Sequence, residues 1–408
     1  MSTLRQDNQF GMFIHWGVYA LTAYHEQARA RLNLDRYDYR CLMKEFNPVH
    51  YNPDEWVKLA ADAGMRYICF TAKHHDGFCL WDTKETDFNI MNTPYGKDVL
   101  AMLAKACARH QMKLSIYYSV PDWDHPNAYN PKSSHQCPPY PDDKPDTVLY
   151  RDYVKKQIKE LLTGYGSIYT LFWDIPPQID DPSMNEYVRG LQPDILINDR
   201  GYDEGDFSTP ERKVPSGKHF DKMTEACQSV GRRSWGYRWH EDYHSTRFLK
   251  SSIAKIMAMG GSYLLNVGPM PDGKIDEKSV AIIQNIGKWF CQAKEALTGT
   301  RSSGKITTEL ETDADMPFIA RDDEQATYLI FYEGMNADGI TLAGFNQKPV
   351  SATLLNNGQA IDFEIATMPP LWNKKRLVRN QPGLHLFNCP VEAFHHEPMI
   401  IKLNWSEA

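Results

Sequence analysis

Acidic, imidazole, hydroxyl and guanidinium groups recur at one kind of place in this 408-residue sequence, directly after short apolar runs. His15 and Trp16 follow GMFI, and Lys73, His74, His75 and Asp76 follow YICFTA. Tyr117, Tyr118 and Ser119 close a run opened by KLSI, Asp174 follows IYTLFW, and Asn198, Asp199 and Arg200 follow DILI. One such residue would be an ordinary polar contact; five consecutive strand ends equipped in this way describe a site. Asp174 is the sharpest of them, because a carboxylate closing so apolar a run is costly unless it faces a polar cavity. Fixed there, it could act as a nucleophile or as a metal ligand. Glycoside hydrolysis would need a second carboxyl group about 5–5.5 Å away for retention, or about 6.5–9.5 Å for inversion. Glu211 in DFSTPER and Glu225 in TEACQSVGRRSWGY are the candidates, each otherwise a solvated loop charge.

These residues need elements that end side by side. Strands are expected at 11–17, 66–73, 113–119, 167–174, 194–199 and 262–269, with amphipathic helices between them. The clearest helix starts with Asn52 as N-cap and Pro53 in its first turn, buries Trp56, Leu59, Ala60 and Ala63, and stops at Gly64. A second carries Leu100, Leu103, Ala104 and Cys107 on one face, a third spans 151–163, and a last one carries Val280, Ile283, Ile286 and Phe290. A loop with seven prolines over 120–150, holding Trp123, Tyr129 and Tyr140, sits where such folds shape their pockets. Ile-, Val-, Leu- and Tyr-rich strands with helical crossovers predict a parallel sheet, in an open or a closed form. After about residue 300 the texture changes to short strands between Gly, Pro and Asn turns, which predicts an all-β module.

Composition narrows the class. The formal net charge of −7 and the absence of a Lys/Arg block exclude a nucleic-acid footprint. No run reaches the roughly 18–20 apolar residues of a membrane span. The polar MSTLRQDNQF start lacks a signal-peptide apolar core. The eight cysteines are scattered without a C-x-x-C pair, which reads as buried thiols in a reducing, cytoplasmic setting.

The motifs GMFIHWGVYAL, TAKHHDGFCLW, LSIYYSVPDW, LFWD, INDRG and LLNVGP, in that order over roughly residues 10–300, resemble glycoside hydrolase family 29, the α-L-fucosidases. The resemblance implies a (β/α)8-type, TIM-like barrel over 1–299 and a C-terminal β-sandwich over 300–408. It implies an exo-acting, retaining enzyme that releases terminal α-L-fucose by double displacement, with no metal or cofactor. Asp174 would be the nucleophile. The acid/base would be Glu225, which precedes the Trp235-Gly236-Tyr237 motif but has Thr224 where the family usually has Trp, or else Glu211 in the T-x-E segment; Glu225 is put first. Sugar contacts carry over to His15, His74, His75, Tyr117 and Arg200, with Trp81, Trp235 and Phe172 lining the pocket, Phe172 standing where the family often has Trp. Many members carry Glu-Trp-Tyr or Glu-Trp-Val after the first strand; here the sequence is His25-Glu26-Gln27, which keeps Glu26 and loses the aromatic. The partner implied is a fucosylated oligosaccharide or glycoside, with neither nucleic acid nor membrane, and a homo-oligomer is allowed.

Three rival readings stay open, one of them a catalytically silent carbohydrate-binding protein on a hydrolase scaffold, against which stand Asp174 and the two Glu candidates. The same mechanism could act on a related sugar such as an α-galactoside. Alternatively His15, His74, His75 and Asp174 could surround zinc in a metal-dependent hydrolase. Against zinc, strand alternation is expected to splay the adjacent His74 and His75.

Overall fold

Seven strands hydrogen-bond in parallel within one sheet: β1 (Phe10–Ile14), β2 (Tyr67–Lys73), β3 (Lys113–Ser119), β4 (Ile168–Asp174), β5 (Leu196–Ile197), β6 (Glu225–Ser229) and β7 (Ser262–Val267). Their order is β5-β4-β3-β2-β1-β7-β6. This computed structural model describes residues 9–213, 219–302, 317–321, 325–343, 345, 347–367, 372–373, 376–377 and 382–405. Residues 1–8, most of the segment read for a signal peptide, lie outside the described residues, as do parts of the C-terminal module.

Helices α1 (Ala28–Arg31), α2 (Arg36–Cys41) and α3 (Pro53–Asp62) lie between β1 and β2. The later crossovers carry α4 (Val99–Arg109), α5 (Thr147–Gly164), α6 (Pro182–Leu191) and α7 (Thr246–Ala258), and α8 (Glu277–Leu297) follows β7. Their starts are chemically marked. Asn52 Oδ1 accepts the Asp54 N–H at 3.2 Å, Asp98 Oδ1 the Ala101 N–H at 2.8 Å, and Asp276 Oδ1 the Ser279 N–H at 2.9 Å. Each satisfies a donor the helix cannot, an effect of about 1 kcal/mol.

Strand alternation sorts the side chains. Ile14, Ile68, Phe70, Ile116, Leu171 and Trp173 join the helices in the main core. Phe13, Cys69, Tyr117, Phe172, Cys227 and Leu264 form a separate inner cluster. The Phe13 and Phe172 ring centroids lie 5.3 Å apart although β2 and β3 separate their strands in the sheet. A flat sheet would hold them about 14 Å apart at a strand spacing of about 4.8 Å, so the sheet is strongly curled. Its edges, β5 and β6, do not pair directly. The segment 207–211 runs between them, making isolated parallel bridges Asn198–Phe207, Ser208–Thr224 and Glu211–Cys227. Where the resemblance implies an eight-stranded barrel, the structure has a curled seven-stranded parallel sheet whose edges are linked only by the single bridges of segment 207–211.

The C-terminal strands are β8 (Arg301–Ser302), β9 (Phe318–Arg321), β10 (Ala326–Phe331), β11 (Ile340–Ala343), β12 (Ser351–Leu354), β13 (Gln359–Ala360), β14 (Asp362–Thr367), β15 (Trp372–Asn373), β16 (Arg376–Leu377), β17 (Pro382–Phe387) and β18 (Met399–Asn404). They form antiparallel sheets ordered β13-β12-β18-β10-β9-β8, β11-β17-β14 and β15-β16. Leu329, Phe331, Leu342, Leu354, Leu384, Ile401 and Leu403 bury one another as a second core. A buried ion pair between Lys250 on α7 and Glu397, at 2.8 Å, joins this module to the helices. No helix among the described residues is long and apolar enough to cross a membrane.

Candidate active site

The C-terminal ends of the inner strands open into a small pocket of about 80 Å3. Asp174, the last residue of β4, is 9% exposed in its wall. Three donors orient its carboxylate. The Tyr117 hydroxyl donates to Oδ2 at 2.6 Å, Arg200 Nη2 sits 2.7 Å from Oδ1, and the Ile175 N–H donates to Oδ1 at 3.1 Å. Tyr117 stands opposite Phe172 in the β3–β4 register, two residues before Asp174 on its own strand, so both face inward and the hydroxyl reaches up to the carboxylate.

Arg200 carries a second carboxylate. Its Nη1 donates to Glu211 Oε2 at 2.7 Å. Burial opposes the guanidinium charge, but Asp174 and Glu211 outweigh it and raise its pKa above the ordinary arginine value. Two oxygens held on the two terminal nitrogens of one guanidinium lie within about 8 Å of each other. Glu225 is elsewhere. It points to the same side of β6 as Cys227, two residues earlier, and so lies about 7 Å deeper by strand geometry. Cys227 lines the pocket, while Glu225 is 1% exposed beneath it and accepts the Tyr67 hydroxyl at 2.6 Å.

The imidazoles are set as neutral groups. Burial lowers the pKa of His74 and His75 well below the ordinary value, and neighbouring imidazoles (with Arg200 beside His75) lower it further. Burial also lowers His15, with partial opposition from Glu26 and Asn266. Asn266 Oδ1 faces His15 Nδ1 at 2.7 Å, so His15 carries its proton on Nδ1 and keeps Nε2 as an acceptor. His75 is fixed by similar reasoning. Ser119 Oγ donates its proton to the Pro121 carbonyl at 2.6 Å and so accepts from His75 Nδ1 at 2.6 Å. His75 Nε2, 3.7 Å from Asp174 Oδ2, is left as an acceptor. His74 stacks on Tyr117, with centroids 5.6 Å apart and planes 6° apart. The two adjacent histidines both line the pocket, with ring centroids 4.2 Å apart. The splaying expected from alternation does not occur, because β2 ends at Lys73 and the chain turns at His74.

Glu26 forms the far wall. Its Oε2 accepts from Ser234 Oγ at 2.8 Å, the Trp235 N–H at 2.8 Å and the Gly236 N–H at 3.3 Å. Burial alone would raise its pKa, but His25, His74, His15 and the Ser234 hydroxyl bring it down to about 2. Trp235 stacks on His15 at 5.3 Å, with Arg212 4.3 Å from the indole ring. Phe172 lines the pocket and stacks on Tyr117 at 5.8 Å.

Other expected residues serve the frame. Trp81 is buried in the main core, its indole N–H bound to Glu160 at 2.9 Å, and does not line the pocket. Trp16 packs beside Trp56 and Tyr51, and its indole donates to the Met270 carbonyl. Lys73 is paired with Asp122 at 2.9 Å, and Asn198 is bonded to the Trp173 backbone. Asp76 accepts from the Tyr39 hydroxyl at 2.8 Å.

A family model described as Alpha-L-fucosidase matches residues 2–295. The chain belongs to the α-L-fucosidase family, glycoside hydrolase family 29. Human tissue alpha-L-fucosidase is 25% identical over 323 residues, covering 72% of this chain and 68% of its own. Human plasma alpha-L-fucosidase is 25% identical over 391 residues, covering 87% and 81%. Among solved structures, alpha-L-fucosidase isoenzyme 1 from Paenibacillus thiaminolyticus superposes with a TM-score of 0.80 at 29% identity, over 99% of this chain and 98% of that one. A family 29 alpha-L-fucosidase from Bacteroides thetaiotaomicron, trapped as a covalent intermediate with 2-fluoro-fucosyl fluoride, superposes with a TM-score of 0.77 at 23% identity, over 98% and 94%, and bears on the fold.

In this α-L-fucosidase family member, several residues in or behind the pocket wall carry no strand-end signal. Asn266 ties His15 to the Ser229 hydroxyl and the Trp235 carbonyl, at 3.0 and 2.7 Å; a lone Asn inside the apolar SYLLNV run was its trace in the sequence. His135 enters from the Pro-rich loop, where no periodicity marks it. Gln27, Cys227 and Ile175 also line the pocket.

Proposed function

We propose that this enzyme is an exo-acting, retaining α-L-fucosidase that works by double displacement. The observation that carries the reading is the pair of carboxylates on Arg200, Asp174 and Glu211, inside one small pocket of neutral imidazoles. Asp174 attacks the anomeric carbon while Glu211 protonates the departing glycosidic oxygen. Glu211 then takes a proton from water, which releases the sugar from Asp174 with its configuration retained. Glu211 is preferred over Glu225 because it lines the pocket, whereas Glu225 lies one inner layer below and is engaged by Tyr67.

Substrate binding follows from the same geometry. His15 and His75 present their Nε2 atoms as acceptors, His74 adds a neutral imidazole and Glu26 a carboxylate, a set that suits a ring of donating hydroxyls. Phe172 and Trp235 offer apolar surface to the ring's C–H face. The pocket is floored by Phe13, Cys227 and the inner cluster, so one terminal sugar enters it and a polysaccharide chain does not lie across it.

We read the curled sheet as a (β/α)8-type barrel whose eighth position is held by 207–211, spanning residues 1–299, with a β-sandwich over 300–408. All eight cysteines are free thiols, which supports a reducing, cytoplasmic setting.

The experiment is a comparison of aryl α-L-fucoside with aryl α-galactoside, following the first-formed anomer by NMR. The reading expects fucoside turnover with α-L-fucose appearing first. Preference for the galactoside would refute the substrate, and β-fucose appearing first would refute the mechanism.

A further inference from the structure

We propose that His135, from the loop between β3 and α5, is a substrate-binding residue that meets the first sugar on the leaving side of the scissile bond, with Trp123 as its positioning residue. The inference rests on the α-L-fucosidase reading and adds to it the place where the leaving group is recognised.

His135 is the exposed member of the pocket lining, while His15, Glu26 and His74 are buried behind it. In a blind pocket that takes a terminal sugar, the glycosidic oxygen and its substituent face the mouth. Glu211, which protonates that oxygen, has a side chain 37% exposed and so marks the same level. The His135 ring lies 5.9 Å from that of His75, whose Nε2 faces Asp174. His135 Nδ1 meets Ser134 Oγ at 3.0 Å, and no hydrogen bond among the described residues uses Nε2.

The loop is fastened so as to keep this ring at the mouth. The His135 carbonyl accepts the Trp123 indole N–H at 2.7 Å, and the Trp123 backbone N–H donates to the His75 carbonyl at 2.8 Å. Trp123 therefore ties His135 to the strand end that bears His75. Nearby, Asn130 Nδ2 donates to the Pro177 carbonyl at 2.7 Å, and Ser133 Oγ to that of Pro176 at 3.1 Å. Those two prolines follow Asp174 by two and three residues, so the loop is tied to the nucleophile's strand as well. His135 itself has φ 56°, a left-handed conformation unfavourable for a residue with a Cβ and held here by these contacts.

The test compares kcat/KM for α-L-fucosyl fluoride, whose leaving group is a single atom, with that for the best-cleaved of a set of 2-, 3- and 4-linked fucosyl trisaccharides. Wild-type turnover of the fluoride reports on the fucosidase reading by itself. His135→Ala is expected to lose about tenfold more on the trisaccharide than on the fluoride, chiefly through KM, as for one lost hydrogen bond to substrate. His135→Gln should recover part of that difference. Trp123→Phe, which deletes the indole N–H and keeps an aromatic ring, should shift the same ratio in the same direction by less. Equal losses on both substrates, or no loss on either, would overturn the proposal.

Discussion

Asp174 and Glu211 share one guanidinium, with Arg200 Nη2 at 2.7 Å from the first and Nη1 at 2.7 Å from the second. Because one rigid fork spans both, the spacing of the proposed nucleophile and acid/base depends on the planarity of this side chain. Lysine offers a single point charge and cannot hold both carboxylates in that geometry. Arg200→Lys should therefore lower kcat/KM for an aryl α-L-fucoside by about 100-fold or more, with a melting temperature close to that of wild type. Activity within a few-fold of wild type would mean that the fork does not set the spacing.

Removing Asp174, the proposed nucleophile, should leave a stereochemical signature. Asp174→Gly should reduce kcat by about 1,000-fold or more, and azide should restore turnover from the face left open. NMR of the product should identify β-L-fucosyl azide. An α product from this variant would assign the attack to another residue.

Glu211 and Glu225 should separate cleanly. Glu211→Gly should fail most on substrates with poor leaving groups, retain more activity on activated aryl fucosides, and yield α-L-fucosyl azide on rescue. Glu225→Ala acts beneath the pocket floor and leaves the Tyr67 hydroxyl without this partner. It should destabilise the fold by about 1–3 kcal/mol, with the leaving-group dependence of wild type. Calorimetry and a leaving-group series on both variants check this; the reverse pattern would exchange the two roles.

Much of the site was legible because a parallel strand delivers its last residues to one end of the sheet, so the polar residues after apolar runs had to converge. Asp174, His15, His74, His75, Tyr117 and Arg200 met this condition and line one pocket. Strand ends do not reveal facing: Trp81, beyond its strand, turns into the core toward Glu160. Strand β6 was missed because EACQS alternates inward Glu225, Cys227 and Ser229 with Ala226 and Gln228, so neither face is a run of large apolar residues and the segment reads as solvated loop. Glu225 was put first on its place before the Trp235-Gly236-Tyr237 motif, which says nothing about depth along a strand. Only the strand's start and direction reveal that Glu225 lies at its deep end. His135 was hidden for a different reason, since a Pro-rich loop has no period from which to infer a direction.

A pH effect on stability follows from Asp76, which lies next to the pocket histidines in sequence. Burial raises its carboxyl pKa to about 7, against the opposing pull of the Tyr39 hydroxyl and the Phe78 N–H. Between about pH 4 and pH 7 the folded chain keeps a proton there that the unfolded chain has lost. The folded state binds the extra proton, so this group's contribution to stability falls as pH rises through that window. Asp76→Asn cannot ionise, so its melting temperature minus that of wild type should become more positive from about pH 5 to about pH 8. A flat or declining difference would contradict the assignment.

The most direct measurement is covalent trapping. The enzyme is incubated with 2-deoxy-2-fluoro-α-L-fucosyl fluoride, digested, and the labelled peptide sequenced by mass spectrometry. One fluorofucosyl group per chain is expected, esterified to Asp174 in the LFWD segment. A label on Glu211, Glu225 or any other side chain would contradict it.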